Sequence, residues 1–236
     1  ADPTDDVEGI DAARKVVITS YLSFNQVINL NDVDRRGISD VESEDIQVAD
    51  QLGYKIKLIG KGTYENGQVQ ASVAPTFINK AHQLAAVEDE FNAIYVIGDA
   101  VGETMFYGKG AGSLATGSAV VSDLLNVTLN FETNLHTLPP HFELKTEKTK
   151  ELMDESETVS LKEKESYYVV VQTDGEEVNK VETLLKGQLP FHKSLAVTER
   201  DAHTAGVVIV GIDENPEASI TESGYIVKKI YPVEGV

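Results

Sequence analysis

"YKIKLIGKGTYENGQVQASVAP", residues 54–75, is the stretch on which the fold turns. Apolar and charged side chains alternate from Tyr54, the period of a strand with one wet face. Asn66-Gly67 supplies two residues that accept positive φ, a strong signal for a two-residue hairpin turn. Alternation resumes from Gln68 to Ala74, which predicts a second strand folded back on the first. Two helical segments precede it. Apolar residues recur at Ile10, Ala13, Val17 and Tyr21, with Leu22 and Phe24 near the end, predicting a helix over 10–24. Asp5 and Asp6 stand just before it, where carboxylates satisfy free backbone N–H groups. "GISDVESEDIQVADQLGY" (37–54) predicts another. Ser39 with Glu42 fits a capping box and Ser43 is an alternative cap. Ile46, Ala49 and Leu52 form its buried stripe, and Gly53 ends it.

Beyond the hairpin, "FNAIYVIGDAVGETMFYGKGAG" (91–112) predicts two strands around a Gly-containing turn. "SLATGSAVVSDLL" (113–125) then reads as loop into helix, with Ala119, Val120 and Leu124 inward. After Asn130 the chain becomes rich in charge and carries Pro139-Pro140, a connector with at most one short helix. A compact pattern restarts at Tyr167. "YYVVVQT" is a strand, "EEVNKVETLLKG" a helix ending at Gly187, and "HKSLAVTER", "TAGVVIVGID" and "GYIVKKIYPV" are strands. The fold class expected is α+β: a mixed-sheet domain with helices on one face, then a small domain close to the ferredoxin-like plan.

Composition narrows the function. Lys plus Arg number 20 against 39 Asp plus Glu, a formal charge of -19. A phosphate-binding protein needs a basic face, so nucleic acid and anionic membrane are not expected partners. The absence of cysteine excludes disulfides, thiol catalysis and thiolate metal sites. No apolar run reaches transmembrane length and no secretory signal opens the chain, so a soluble cytoplasmic location is expected. Ala1 stands where an initiator Met would, which suggests a piece of something longer.

Asp11 and Lys15 lie four apart and share a helix face. Spacing alone allows an exposed ion pair worth a few tenths of a kcal/mol. Spacing favours that reading, and the alternative is a lysine held at a cleft, able to exchange a proton, with Asp6 reaching in from the helix entrance. "GKGAGS" (108–113) lacks the order of a phosphate-binding loop. Gly108, Gly110 and Gly112 are either tight turns or a place where a cofactor ring approaches backbone. His82, His136, His141, His192 and His203 have no metal-ligand spacing, so no metal is expected. Neither a G-x-S-x-G elbow nor a strand followed by G-x-G-x-x-G occurs.

Together, "DPTDDVEGIDAARK" (2–15), "EDIQVADQLGYKIKLIGKG" (44–62), "INKAHQLAAVEDEFNAIYVIGDAVGETMFYGKGAG" (78–112) and "TGSAVVSDLL" (116–125) resemble the catalytic region of homoserine dehydrogenases. The resemblance implies NAD- or NADP-dependent interconversion of homoserine and aspartate semialdehyde, on the route to threonine and methionine. It implies that Lys15 takes part in proton transfer with the C4 hydroxyl. Asp11 would orient that lysine and the substrate, and Asp6 would bind the substrate amino group. More loosely, Gly108, Gly110 and Gly112 would form a loop facing the nicotinamide. The family's nucleotide domain, with its second catalytic lysine, and a Tyr and Glu just before "ADP" are not in this sequence. The segment alone is therefore expected to be inactive. The family's "HPLA" reads "HQLA" at His82 to Ala85, and Ala115 replaces a usual Pro.

The region from Tyr167 resembles an ACT domain, which implies an amino-acid effector such as threonine. It departs from that pattern too. "TDGEEV" replaces the usual "PG", and only "ENPEASITES" is available for a second helix. The expected domains are 1–132 catalytic, 133–166 linker and 167–236 ACT-like, in a homodimer or tetramer. The rival reading is an amino-acid-binding regulatory or oligomerisation module without chemistry.

Overall fold

A computed structural model describes residues 2–132, 165–173, 175–176, 178–189, 194–201, 203–212 and 214–235. The elements run α1 (Thr4–Val7), α2 (Ile10–Phe24), β1 (Asp34–Arg35), α3 (Ser43–Gln51), β2 (Tyr54–Glu65) and β3 (Gln68–Asn79). Then come β4 (Phe91–Gly98), β5 (Gly102–Lys109) and α4 (Ser113–Glu132). The C-terminal part holds β6 (Glu165–Gln172), α5 (Val178–Gln188), β7 (Ser194–Asp201), β8 (Thr204–Ile212), α6 (Glu217–Glu222) and β9 (Ile226–Glu234). Of the connector expected over 133–166, residues 133–164 lie outside the described residues, as do His136, His141 and His192. Glu165 and Ser166 open β6.

Contacts divide the chain into two compact units, Ala1–Ala81 with Lys145–Val236, and His82–Leu144. The first is built on a mixed sheet ordered β1-β3-β9-β6-β8-β7, with β2 paired to β3. The β2–β3 hairpin turns at Asn66 (φ 51) and Gly67 (φ 80), the two positive values its sequence called for. Its second strand runs on past Ala74 to Asn79, through Pro75. Arg36 N–H donates to the Val73 carbonyl at 2.8 Å, so Val73 and Pro75 aim their polar groups at the β1/β9 side. On that side β1 pairs at Ser72 and Val73, and β9 only from Phe77. Pro75 falls in the gap between them, where its missing N–H breaks no ladder bond.

Helices cover opposite faces of the two halves of this sheet. Ala13 and Val16 of α2 pack with Val73 and Leu58. Val48 and Ala49 of α3 pack with Tyr54 and Phe77 on the same face. Along β6 the side chains then alternate. Tyr168 and Val170 join Phe77, Val48 and Tyr231, whereas Val169 and Val171 meet Val181 and Leu185 of α5 and Ile220 of α6. A strand covered on both sides reads as an unbroken apolar run, which is why "YYVVVQ" lacks alternation. Between the last two C-terminal strands "ENPEASITES" does form a helix, α6, although a short one.

Three sequence expectations fail in detail. Leu22 and Ile46 are exposed, while Val16, Ser20, Asp45 and Val48 take the inward positions. Gly60 and Gly62 of β2 explain the helix α2 set. An added Cβ on Gly62 would lie 2.2 Å from Ser20 Oγ, and one on Gly60 3.1 Å from Val16. The helix thus seats Val16 and Ser20 over bare backbone. The third concerns α4, which begins at Ser113 with Ala119, Val120 and Leu124 exposed, not inward. Among its described residues, its own unit offers the β4–β5 hairpin and a single helical turn, Gln83–Ala86, too few elements to enclose a core. No helix among the described residues is long and apolar enough to cross a membrane.

Candidate functional site

The acidic opening is a built corner. Asp2 accepts from Thr4 N–H at 3.0 Å and from its hydroxyl at 2.6 Å at the start of α1, whereas α2, the helix Asp5 and Asp6 were expected to cap, has Gly9 at its N-cap and no side-chain cap bond. Asp5 instead pairs with Arg14 at 2.6 Å. Gly9, in the left-handed region at φ 70, turns the chain from α1 into α2. The loop after β1 then grips this junction. Ile38 N–H donates to the Val7 carbonyl at 2.8 Å. Arg35 donates to the Glu8 carbonyl and the Ser39 hydroxyl to the Glu8 carboxylate. Gly37 makes the approach possible, since a Cβ there would stand 2.4 Å from the Val7 oxygen.

One turn into α2, Lys15 Nζ lies 2.7 Å from Asp11 Oδ2, with side chains 57% and 41% exposed. Asp6 is exposed on α1. The structure therefore brings Asp11 and Lys15 into contact and sets Asp6 on the preceding helix. Exposed carboxylates and an ammonium of this kind suit a zwitterionic ligand and proton exchange.

Gly108, Gly110 and Gly112 belong to the other compact unit, at the end of β5 and the entry to α4. Two of them have local reasons. Gly110 makes room for Asn92, whose Nδ2 would lie 1.9 Å from an added Cβ, and Gly112 has φ 115. Only Gly108 lacks such a reason, with open space around it. The connection lacks the order of a phosphate-binding loop, and what the glycines could offer is backbone approach to a cofactor ring held elsewhere. Among the described residues no group of three or more His, Asp or Glu could hold a metal ion.

Sequence reasoning missed a second polar cluster. Asp45 is fully buried on α3 and serves as the helix's capping-box acid, accepting from Glu42 N–H at 3.0 Å. Glu42, not Ser39 or Ser43, is thus the N-cap. Asp45 also contacts Arg200 at 2.8 Å and Lys229 at 3.2 Å, and accepts from the Tyr231 hydroxyl at 2.8 Å. Arg200 and Lys229 reach Glu42 as well, at 2.7 and 3.1 Å. Hydrogen bonds from Lys229 and then Arg200 hold the Glu42 carboxyl below the usual carboxylate range. Burial pushes the Tyr231 and Tyr168 phenols upward, and the Asp45 bond adds to this at Tyr231. A capping-box pattern with Asp at its third position was the one local signal for Asp45. Its partners on β7 and β9 had none.

The sequence profile described as homoserine dehydrogenase matches residues 1–125, which hold this whole corner. The chain belongs to the homoserine dehydrogenase family. A second profile, the homoserine dehydrogenase C-terminal domain, matches residues 164–236. Homoserine dehydrogenase of Bacillus subtilis is 52% identical over 130 residues, covering 55% of this chain and 30% of that protein. A crystal structure of the Staphylococcus aureus homoserine dehydrogenase superposes with a TM-score of 0.85 at 67% identity, over 100% of this chain and 56% of that one. The Thiobacillus denitrificans structure gives 0.75 at 31% identity, over 99% of this chain and 55% of that one. The chain thus spans about half the length of these solved homoserine dehydrogenases.

Proposed function

We propose that this chain is the substrate-binding and C-terminal part of an NAD(P)-dependent homoserine dehydrogenase. It would interconvert L-homoserine and L-aspartate 4-semialdehyde, in threonine and methionine biosynthesis. The observation that carries the reading is the 2.7 Å Asp11–Lys15 contact on an open helix face, inside the segment that matches the family. Oxidation at C4 removes a hydride, which the nicotinamide accepts when bound. It also removes the hydroxyl proton, and Lys15 is the group assigned to that transfer. Asp11 orients Lys15 and the substrate. Asp6 supplies a counter-charge to the substrate ammonium. The cofactor is held mainly by residues outside this segment, with Gly108, Gly110 and Gly112 facing the nicotinamide side. The segment alone is therefore expected not to turn over homoserine.

The domain scheme of 1–132, 133–166 and 167–236 follows the same reading. An ACT-type, ferredoxin-like C-terminal domain is supported by the order β6-α5-β7-β8-α6-β9 and the antiparallel strand order β9-β6-β8-β7. Threonine is the candidate effector. A homodimer would cover exposed apolar residues of the second unit, among them Phe106, Leu114, Val121 and Leu125.

The test is Lys15→Met in the full-length enzyme, assayed in both directions. Loss of a positioned acid–base group is expected to lower kcat by about 10²–10⁴-fold. An unchanged kcat would remove Lys15 from the reaction. Absence of homoserine oxidation in the unaltered full-length enzyme would instead favour a binding module without chemistry.

A further inference from the structure

Two basic residues of the C-terminal segment reach the corner that carries Asp11 and Lys15 through a continuous set of bonds. Lys229 of β9 donates to the Asp40 carbonyl at 2.6 Å and contacts both Glu42 and Asp45. Arg200 of β7 holds the same two carboxylates. Asp40 lies next to the grip on the α1–α2 junction. Val41 N–H donates to the Ile38 carbonyl at 3.1 Å, and Ile38 N–H donates to Val7. Gly9, two residues on, accepts from Ala13 N–H at 2.9 Å in the first turn of α2. Lys229 and Arg200 are 18% and 4% exposed at the side chain, and Asp45 0%. Exchange with water therefore cannot easily replace the bonds to Asp45, while Glu42, 57% exposed, ties the same two cations at the rim.

We propose that Lys229 and Arg200 are positioning residues: through Asp40, Glu42 and Asp45 they fix the 35–41 loop, and through it the α1–α2 junction that presents Asp6, Asp11 and Lys15. The C-terminal segment thereby sets the geometry of the substrate-binding edge. Any ligand or modification that shifts β7 or β9 would act on substrate affinity before it acted on turnover. The inference rests on the role proposed above for Asp11 and Lys15, but its structural half can be read without it.

The experiment uses the full-length enzyme with Lys229→Met, Lys229→Arg and, as a control, Glu234→Gln. Glu234 joins β9 to Lys61 of β2 by an ion pair of 2.8 Å outside the cluster. Lys229→Met is expected to raise KM for homoserine by about two- to thirtyfold while leaving kcat within about twofold. Amide hydrogen exchange should rise at Ile38 and Ala13. Lys229→Arg should recover most of both effects, and Glu234→Gln should move neither. Faster exchange confined to α3 and β9, with Ile38 and Ala13 unchanged, would overturn the proposal and leave Lys229 a purely structural tie. So would a fall in kcat at constant KM. If the unaltered enzyme does not oxidise homoserine, the catalytic reading fails, and the Ile38 and Ala13 amides alone then decide the coupling.

Discussion

The molecule carries the same chemical pairing in two settings. Asp11 and Lys15 meet at 2.7 Å in the open, with 41% and 57% of their side chains exposed. Asp45 meets Arg200 and Lys229 at 2.8 and 3.2 Å out of water. In the open, solvent screens the attraction, so the pair contributes little to folding and its groups stay available to a substrate. In the interior, each charge depends on its partners, and the cluster fixes how the N-terminal and C-terminal segments meet. Distance alone does not distinguish the two roles; burial does.

The comparison breaks hardest at Arg200. Arg200→Met keeps most of the side chain's volume but leaves Asp45 short of a counter-charge. The expected loss is about 3–5 kcal/mol of unfolding free energy, read by urea denaturation. A loss below about 1 kcal/mol would mean that water reaches Asp45, and the contrast between the two sites would collapse.

Tyr231 gives the next effect and adds a pH signature. Its hydroxyl donates to Asp45, a charged acceptor, so Tyr231→Phe should cost about 1.5–3 kcal/mol at neutral pH. Burial, and then that bond, hold the phenol above its ordinary 10.0. A raised folded value favours the neutral phenol. The stability it confers is complete below pH 10.0 and is lost progressively as pH rises beyond. Tyr231→Phe should therefore flatten the alkaline fall in stability. Tyr225, pushed up to about 12 by burial and then by Glu176, keeps part of that slope in the variant. An alkaline limb identical in both proteins would place Tyr231 outside the titration.

These two sites differ in how far the sequence announces them. The open pair is local: two residues four apart on one helix, whose bounds the apolar spacing matched to the residue, Ile10–Phe24. The hairpin was legible for the same reason, since Asn66-Gly67 carries its geometry in two residues. The buried cluster is assembled from far apart. Arg200 reaches Glu42 across 158 positions, and Tyr231 reaches Asp45 across 186. Nothing local marks an Arg in "VTERDA" as buried, because charged residues in a strand usually face water. The same limit misplaced Ile46 and the inward face of α4. Periodicity says that a face is apolar, not which element covers it.

The smallest expected effect bears most directly on function. Asp11→Asn preserves shape and removes one charge from the open pair. Screening at this exposure limits the change in stability to about 0.5 kcal/mol, within the error of most denaturation curves. In the full-length enzyme the same change should still raise KM for homoserine and lower kcat, because Asp11 is assigned both to the substrate and to Lys15. A structural ion pair would behave in the opposite way, with a measurable loss of stability and unaltered kinetics. Measured side by side, Arg200→Met and Asp11→Asn should therefore cross over. The first would unfold the protein more easily, and the second would weaken turnover in a protein as stable as before.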